Sequence, residues 1–220
     1  PKAGDAAGQE QLTEVKYARA RTYFEAQHWE EAATGFRDIA MNNADKDVGI
    51  YAAQLYLESI NVLGSKATPA RTSCYDEMAS DVPKFLELYC TGANASKNGE
   101  QCTILARIQA DILRLKAEGA VKAGDKGGTE ALANYEKGGN AYLELYRKFC
   151  EAPKAEGKPP QAERCEELLY NAGEAFQSGR LIAKAIAART ILVDPKNGYE
   201  KTELAKKAMY KIGGNYQAIA

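Results

Sequence analysis

Residues 23–36 read YFEAQHWEEAATGF, and the spacing within this stretch decides the fold. Ala20 stands one turn before Tyr23, while Trp29, Ala32 and Phe36 follow one another at steps of three and four, the period of one helix face. The short step from Tyr23 to Trp29 leaves room only for a tight turn. The stretch therefore predicts two helices packed antiparallel.

Working outward, the same signature returns. Ala53 and Tyr56 repeat Ala20 and Tyr23, and Tyr75, Met78 and Val82 repeat Trp29, Ala32 and Phe36. A third copy pairs Ala110 with Leu113, crosses the glycine-rich residues 119–128, and continues with Tyr135, Gly138 and Tyr142. A fourth pairs Gly173 with Phe176, then gives Ile182 and Ala185, with Arg189 where a ring or an aliphatic side chain stood before. Gly213 and Tyr216 begin a fifth. The steps from one small first-helix residue to the next are 33, 57, 63 and 40, so the second and third units carry inserts between their paired helices.

Punctuation refines this outline. Residues 1–11 are small and polar and predict a flexible lead-in, with helical periodicity starting at Leu12. Asn42 and Asn43 close the second helix, Asp45 is the expected cap of the third, and Gly64 is its expected stop. Pro83 falls inside a helical pattern and should kink or restart it; Pro195 ends the second helix of the fourth pair.

These residues resemble the tetratricopeptide repeat family, whose unit is a helix pair with a small residue then a tyrosine in the first helix and an aromatic, an alanine and a phenylalanine in the second. The resemblance spans roughly residues 12–220. It implies an all-α, right-handed α-solenoid of about four repeats plus a final helix. In such a stack the first helices line a concave groove that takes a protein or peptide partner. Carried over position by position, the groove would present Tyr17, Arg21 and Phe24, then Gln54 and Glu58, then Arg107, Asp111 and Arg114, then Tyr170, Glu174 and Gln177. The long inserts at 64–72 and 117–130 are a second expected binding surface. Gly213 and Tyr216 open a repeat whose second helix is not in the sequence, and Tyr210, Ile212 and Tyr216 form an apolar face that needs cover. We expect the polypeptide to extend beyond Ala220, as Pro1 implies that sequence precedes it.

The cysteines carry a second pattern. Cys90 and Cys102 flank one polar linker between repeats, and Cys150 and Cys165 flank another. The contexts are in register: Tyr75 and Tyr135 each lie 15 residues before the first cysteine, and Ala110 and Gly173 each lie eight after the second. Matching helix ends facing each other across a connection are what disulfides require, and they predict an oxidising compartment. The alternative is buried free thiols in a cytosolic protein. Cys74 is unpaired in this scheme and is read as buried, the alternative being a site for intermolecular pairing.

Charge and chemistry exclude more than they assign. With 29 basic and 30 acidic residues the net charge is −1, which gives no bias toward nucleic acid. No window approaches the roughly 18 apolar residues of a membrane helix. The one histidine, His28, sits in a turn with nothing to mark it as a base. The chain has no CxxC for zinc and no CxxCH for haem. The glycines at 119–124 lack the lysine of a phosphate loop, since Asp125 stands in its place. No cofactor is expected. The sequence reads as a non-enzymatic interaction scaffold of an extracytoplasmic, bacterial cell-envelope assembly, periplasmic or outer-membrane-associated. The alternatives are a self-associating structural subunit and an accessory domain of an enzyme whose catalytic part lies elsewhere.

Overall fold

A computed structural model describes residues 5–66, 71, 73–122 and 128–219. Among these the protein is all-helical, without strands, and its helices pack in neighbouring pairs. The chain divides into two compact units, Pro1–Leu105 and Ala106–Ala220.

Unit 1 opens with α1, Ala6–Glu25, capped by Asp5, whose Oδ1 accepts the Gly8 N–H at 2.9 Å. Residues 6–11, expected in the lead-in, are thus helical: the cap and the Ala, Gln and Glu that follow it suit a first turn. Residues 1–4 lie outside the described residues. The turn to α2, Trp29–Asn42, passes through Gln27 at φ 62°, with the His28 N–H donating to the Tyr23 carbonyl at 2.9 Å. Phe36 is fully buried and receives Tyr17 and Phe24 edge-on, at 5.6 and 6.1 Å between ring centres. Ala20 meets Gly35 so closely that a Cβ there would lie 2.9 Å from the alanine methyl. Tyr23, expected inside, is 37% exposed; Tyr17, Ala20 and Phe24 form the inner face instead.

The next helix, α3, Asp47–Lys66, buries Ile50, Ala53, Tyr56, Leu57 and Ile60 as the periodicity predicts. Asp45 lies in the preceding turn, two residues short of the helix, and is not its cap. Gly64 does not stop α3. It is a packing residue, where a Cβ would press on the Tyr75 ring at 3.1 Å. Helix α4, Ser73–Tyr89, runs through Pro83 without interruption and buries Tyr75, Met78, Val82 and Phe85. A short α5, Gly92–Lys97, leads into α6, Gly99–Lys122, and the Cys90–Cys102 bond joins the end of α4 to the start of α6, with the Cα atoms 5.6 Å apart.

Unit 2 holds the rest of α6, which continues through Gly119 and Ala120 of the expected insert; residues 123–127 lie outside the described residues, as do 67–70 and 72 of the other insert. Helix α7, Thr129–Tyr146, lays Gly138 beside Ala110 and Leu113 of α6 and Gly139 beneath the Phe176 ring. It passes through a π turn, Arg147–Glu151, into α8, Ala152–Ala155. The Cys150–Cys165 bond, with Cα atoms 6.0 Å apart, then ties this end to α9, Cys165–Ser178. After α10, Ile182–Val193, a single 3-10 turn at Pro195–Asn197 leads to α11, Glu203–Ile219. The α9–α10 turn copies the α1–α2 turn residue for residue. Arg180 stands at φ 60°, and the Leu181 N–H donates to the Phe176 carbonyl at 2.8 Å, as His28 does to Tyr23. The core of the unit gathers Tyr142, Tyr146, Leu169, Phe176, Ala185 and Leu192.

Candidate protein-binding surface

In unit 1 the expected groove residues divide. Tyr17 and Phe24 spend their rings on Phe36, and Phe24 also takes Trp29 edge-on at 5.1 Å, so both serve the α1–α2 contact. Arg21 is exposed, its Nε donating to Glu25 at 2.9 Å. Glu58 is exposed and Gln54 half-buried, with its Nε2 unpartnered. Tyr51, missed by the sequence reading, stands exposed at the i−3 position to Gln54, and Tyr51, Gln54 and Glu58 share one face of α3.

In unit 2 the expected rows are tied to their neighbours. Arg107, Asp111 and Arg114 recur at helical spacing on α6. Arg107 Nη2 reaches Glu167 on α9 at 2.8 Å. Asp111 accepts the Tyr142 hydroxyl, and Arg114 pairs with Glu118. Burial pushes the Asp111 carboxyl up and holds the Tyr142 phenol above its ordinary range, while Arg107 and Arg114 pull Asp111 the other way. On α9, Glu174 accepts Arg189 Nη2 at 2.7 Å and Lys211 Nζ at 2.6 Å, and the same lysine lies 5.8 Å over the Tyr170 ring. Gln177 is exposed. Arg107 to Glu167 and Glu174 to Lys211 thus link α6 to α9 and α9 to α11 by partly exposed ion pairs. Each of these three helices carries the small-residue signature of the sequence.

Elsewhere in unit 1 a buried carboxylate organises three helices. Asp81 on α4, 2% exposed, accepts Arg37 Nε of α2 at 2.6 Å, the Tyr56 hydroxyl of α3 at 2.8 Å and Lys84 Nζ at 2.9 Å. Its donors hold the carboxyl down at about 2 against the cost of burial. A shallow cleft beside it is lined by Arg37, Tyr56, Arg71 and Cys74. Cys74 is a buried free thiol, as expected, and burial pushes its pKa up, which opposes the thiolate that a reactive cysteine needs.

His28 is an exposed helix-start residue whose Nδ1 is 3.8 Å from Glu31. Among the described residues, no three His, Cys, Asp or Glu side chains are grouped to hold a metal, and no helix is long and apolar enough to cross a membrane. The two cysteine pairs lie at bonding distance, 2.09 and 2.02 Å, which is compatible with an extracytoplasmic protein. Against models of known protein families, curated proteins and solved structures, the chain gives no match.

Proposed function

We propose that this protein is a non-enzymatic scaffold of tetratricopeptide type, a right-handed stack of helix pairs that holds a protein or peptide partner along the faces of its first helices. The observation that carries this reading is the pair of ion pairs Arg107–Glu167 and Glu174–Lys211, which tie α6 to α9 and α9 to α11. Contacts between successive first helices are what a groove of this kind would need. The matching α1–α2 and α9–α10 turns support a repeated unit. Tyrosine, arginine and mixed polar groups on these faces suit a protein interface. The stapled linkers support an oxidising compartment, and a periplasmic or outer-membrane-associated setting is the one we propose.

The test is capture from the envelope fraction of the source organism, without reductant, using the wild-type chain and a variant carrying Arg21→Glu, Glu58→Lys and Arg107→Glu. A partner held by the wild type and lost by the folded variant supports the groove. Recovery of the chain alone, with a mass that rises with concentration, would replace this reading with the self-associating subunit.

A further inference from the structure

Each disulfide closes a loop that reaches the connection of a neighbouring helix pair, and the two loops do so with the same two residue types. In unit 1, Cys90–Cys102 encloses α5, only six residues long. Lys97 at the end of α5 sets its Nζ 2.5 Å from Asp47, the first residue of α3, just past the α2–α3 connection. Tyr89, next to Cys90 and fully buried, donates its hydroxyl to the Ala40 carbonyl near the end of α2. In unit 2, Cys150–Cys165 encloses α8, four residues long. Lys154 of α8 donates to the Lys196 and Asn197 carbonyls of the α10–α11 connection at 2.8 and 3.2 Å. Tyr146, one turn before Cys150 and 3% exposed, meets Tyr199 of that connection edge-on at 6.5 Å.

Helices as short as α5 and α8 do not hold themselves together in water. The closed loop therefore positions Lys97 and Lys154. The sulfurs differ in shelter: Cys90 is half-buried, while Cys150 and Cys165 are 1% and 3% exposed. Thiol–disulfide exchange requires a thiolate to reach one of the sulfurs, so the first bond is the accessible one.

We infer that the two staples are redox-set clasps: closed, each holds the neighbouring connection in place, and a dithiol reductant releases them in order, Cys90–Cys102 first. One thiolate of the reductant attacks Sγ of Cys90, forming a mixed disulfide and expelling Cys102 as a thiolate, which takes up a proton. The reductant's second thiol then displaces Cys90 and leaves as its own cyclic disulfide, so two electrons pass to the protein and one S–S bond replaces another. Opening the first bond frees α5 and loosens the α2–α3 connection, while the α10–α11 connection stays held. The clasps do not depend on what the groove binds.

The test is titration of the full chain with dithiothreitol, with alkylation and peptide mapping to identify the open bond and NMR amide exchange to follow each connection. The amides to watch are Lys46 and Gly49 in the first and Asn197 and Gly198 in the second, all hydrogen-bonded to carbonyls of their own connection. Cys90–Cys102 is expected to open at the lower reductant concentration and to speed exchange at Lys46 and Gly49 by about tenfold, with Asn197 and Gly198 unchanged until the second bond opens. With both bonds closed, Lys97→Met should speed the first pair of amides and Lys154→Met the second, each by about twofold, the size expected of an exposed contact. Opening in the reverse order or together overturns the inference. So does unchanged exchange at the connections, or lysine variants that leave their connection as it was. Reduction that speeds exchange equally in every helix also overturns it, because the bonds would then hold the fold as a whole and not the connections.

Discussion

Among the described residues each unit fully buries one charged side chain, and the two are treated oppositely. Asp81 in unit 1 is 2% exposed and takes donors from Arg37, Tyr56 and Lys84, which occupy both of its oxygens. Arg189 in unit 2 is 0% exposed, yet only its Nη2 is bonded, to Glu174, while Nε and Nη1 are buried without a partner. A buried ion stabilises a fold when its hydrogen-bonding capacity is met and costs free energy when it is not. The comparison separates a charge that ties helices together from one that is tolerated because its stem fits. Tyr56 shows the same logic from the other side: burial and the Asp81 carboxylate both push its phenol above the ordinary range, which keeps it a donor to Asp81.

The largest effect follows from breaking the satisfied site. Asp81→Ala leaves the buried Tyr56 hydroxyl without its acceptor and opens a gap between three helices, while the half-exposed Arg37 and Lys84 turn to water, and should cost about 3 kcal/mol in denaturant unfolding. Faster amide exchange in α2, α3 and α4, with α9 and α10 unchanged, would place the loss in unit 1. An equal loss in both units would break the comparison. Acid provides a second reading of the same group. The folded carboxyl sits at about 2, below its unfolded value, so its contribution is complete above the unfolded pKa and is lost as pH falls toward 2. Asp81→Asn should flatten the acid limb of the stability profile in that window.

The cross-links set a control in which the two units behave alike. Cys90–Cys102 and Cys150–Cys165 close loops of similar length, with separations of 12 and 15. Converting either pair to serine should therefore cost on the order of 3 kcal/mol, with nearly the same value for both. A difference of more than about 1 kcal/mol would mean that one staple also organises its surroundings, beyond the loop-closure term that scales with length. The candidate is the first, where Asn98 Nδ2 donates to the Tyr89 carbonyl at 3.1 Å, beside Cys90.

Much of this architecture was legible because it is local. The three-and-four spacing of Trp29, Ala32 and Phe36 and the shared register of the cysteine pairs depend on residues near one another in the chain. What the sequence did not show depends on contacts made across many residues. Gly64 reads as a stop until Tyr75 is seen against it. Tyr23 and Tyr17 are equally plausible inner residues until the crossing of α1 on α2 selects Tyr17. The expected groove rows share helix faces by spacing alone, but Arg107 meets Glu167 and Glu174 meets Lys211 across distant stretches, and no local spacing signals those pairs. Asp81 reads as one more polar residue in a helix that happens to contain Pro83. Its role is set by Arg37, 44 residues away.

Arg189 gives the smallest effect and the sharpest test, since its position in the repeat pattern belongs to an aromatic or aliphatic side chain. The stem lies against Gly173, where a Cβ would come within 2.9 Å of Arg189 Cγ, so the aliphatic part fills the space beside that glycine. Replacing the residue with Met keeps that stem and removes two buried, unpartnered N–H groups. Glu174 is not stranded, because Lys211 holds both of its oxygens at 2.8 and 2.6 Å and the pair is partly exposed. The lost hydrogen bond and the relieved desolvation oppose each other, so Arg189→Met should change stability by no more than about 1 kcal/mol in either direction. Chemical denaturation of the variant beside Asp81→Ala measures the contrast directly. A loss above about 3 kcal/mol would show that ordered water meets the remaining guanidinium donors, making Arg189 a structural ion of the same kind as Asp81.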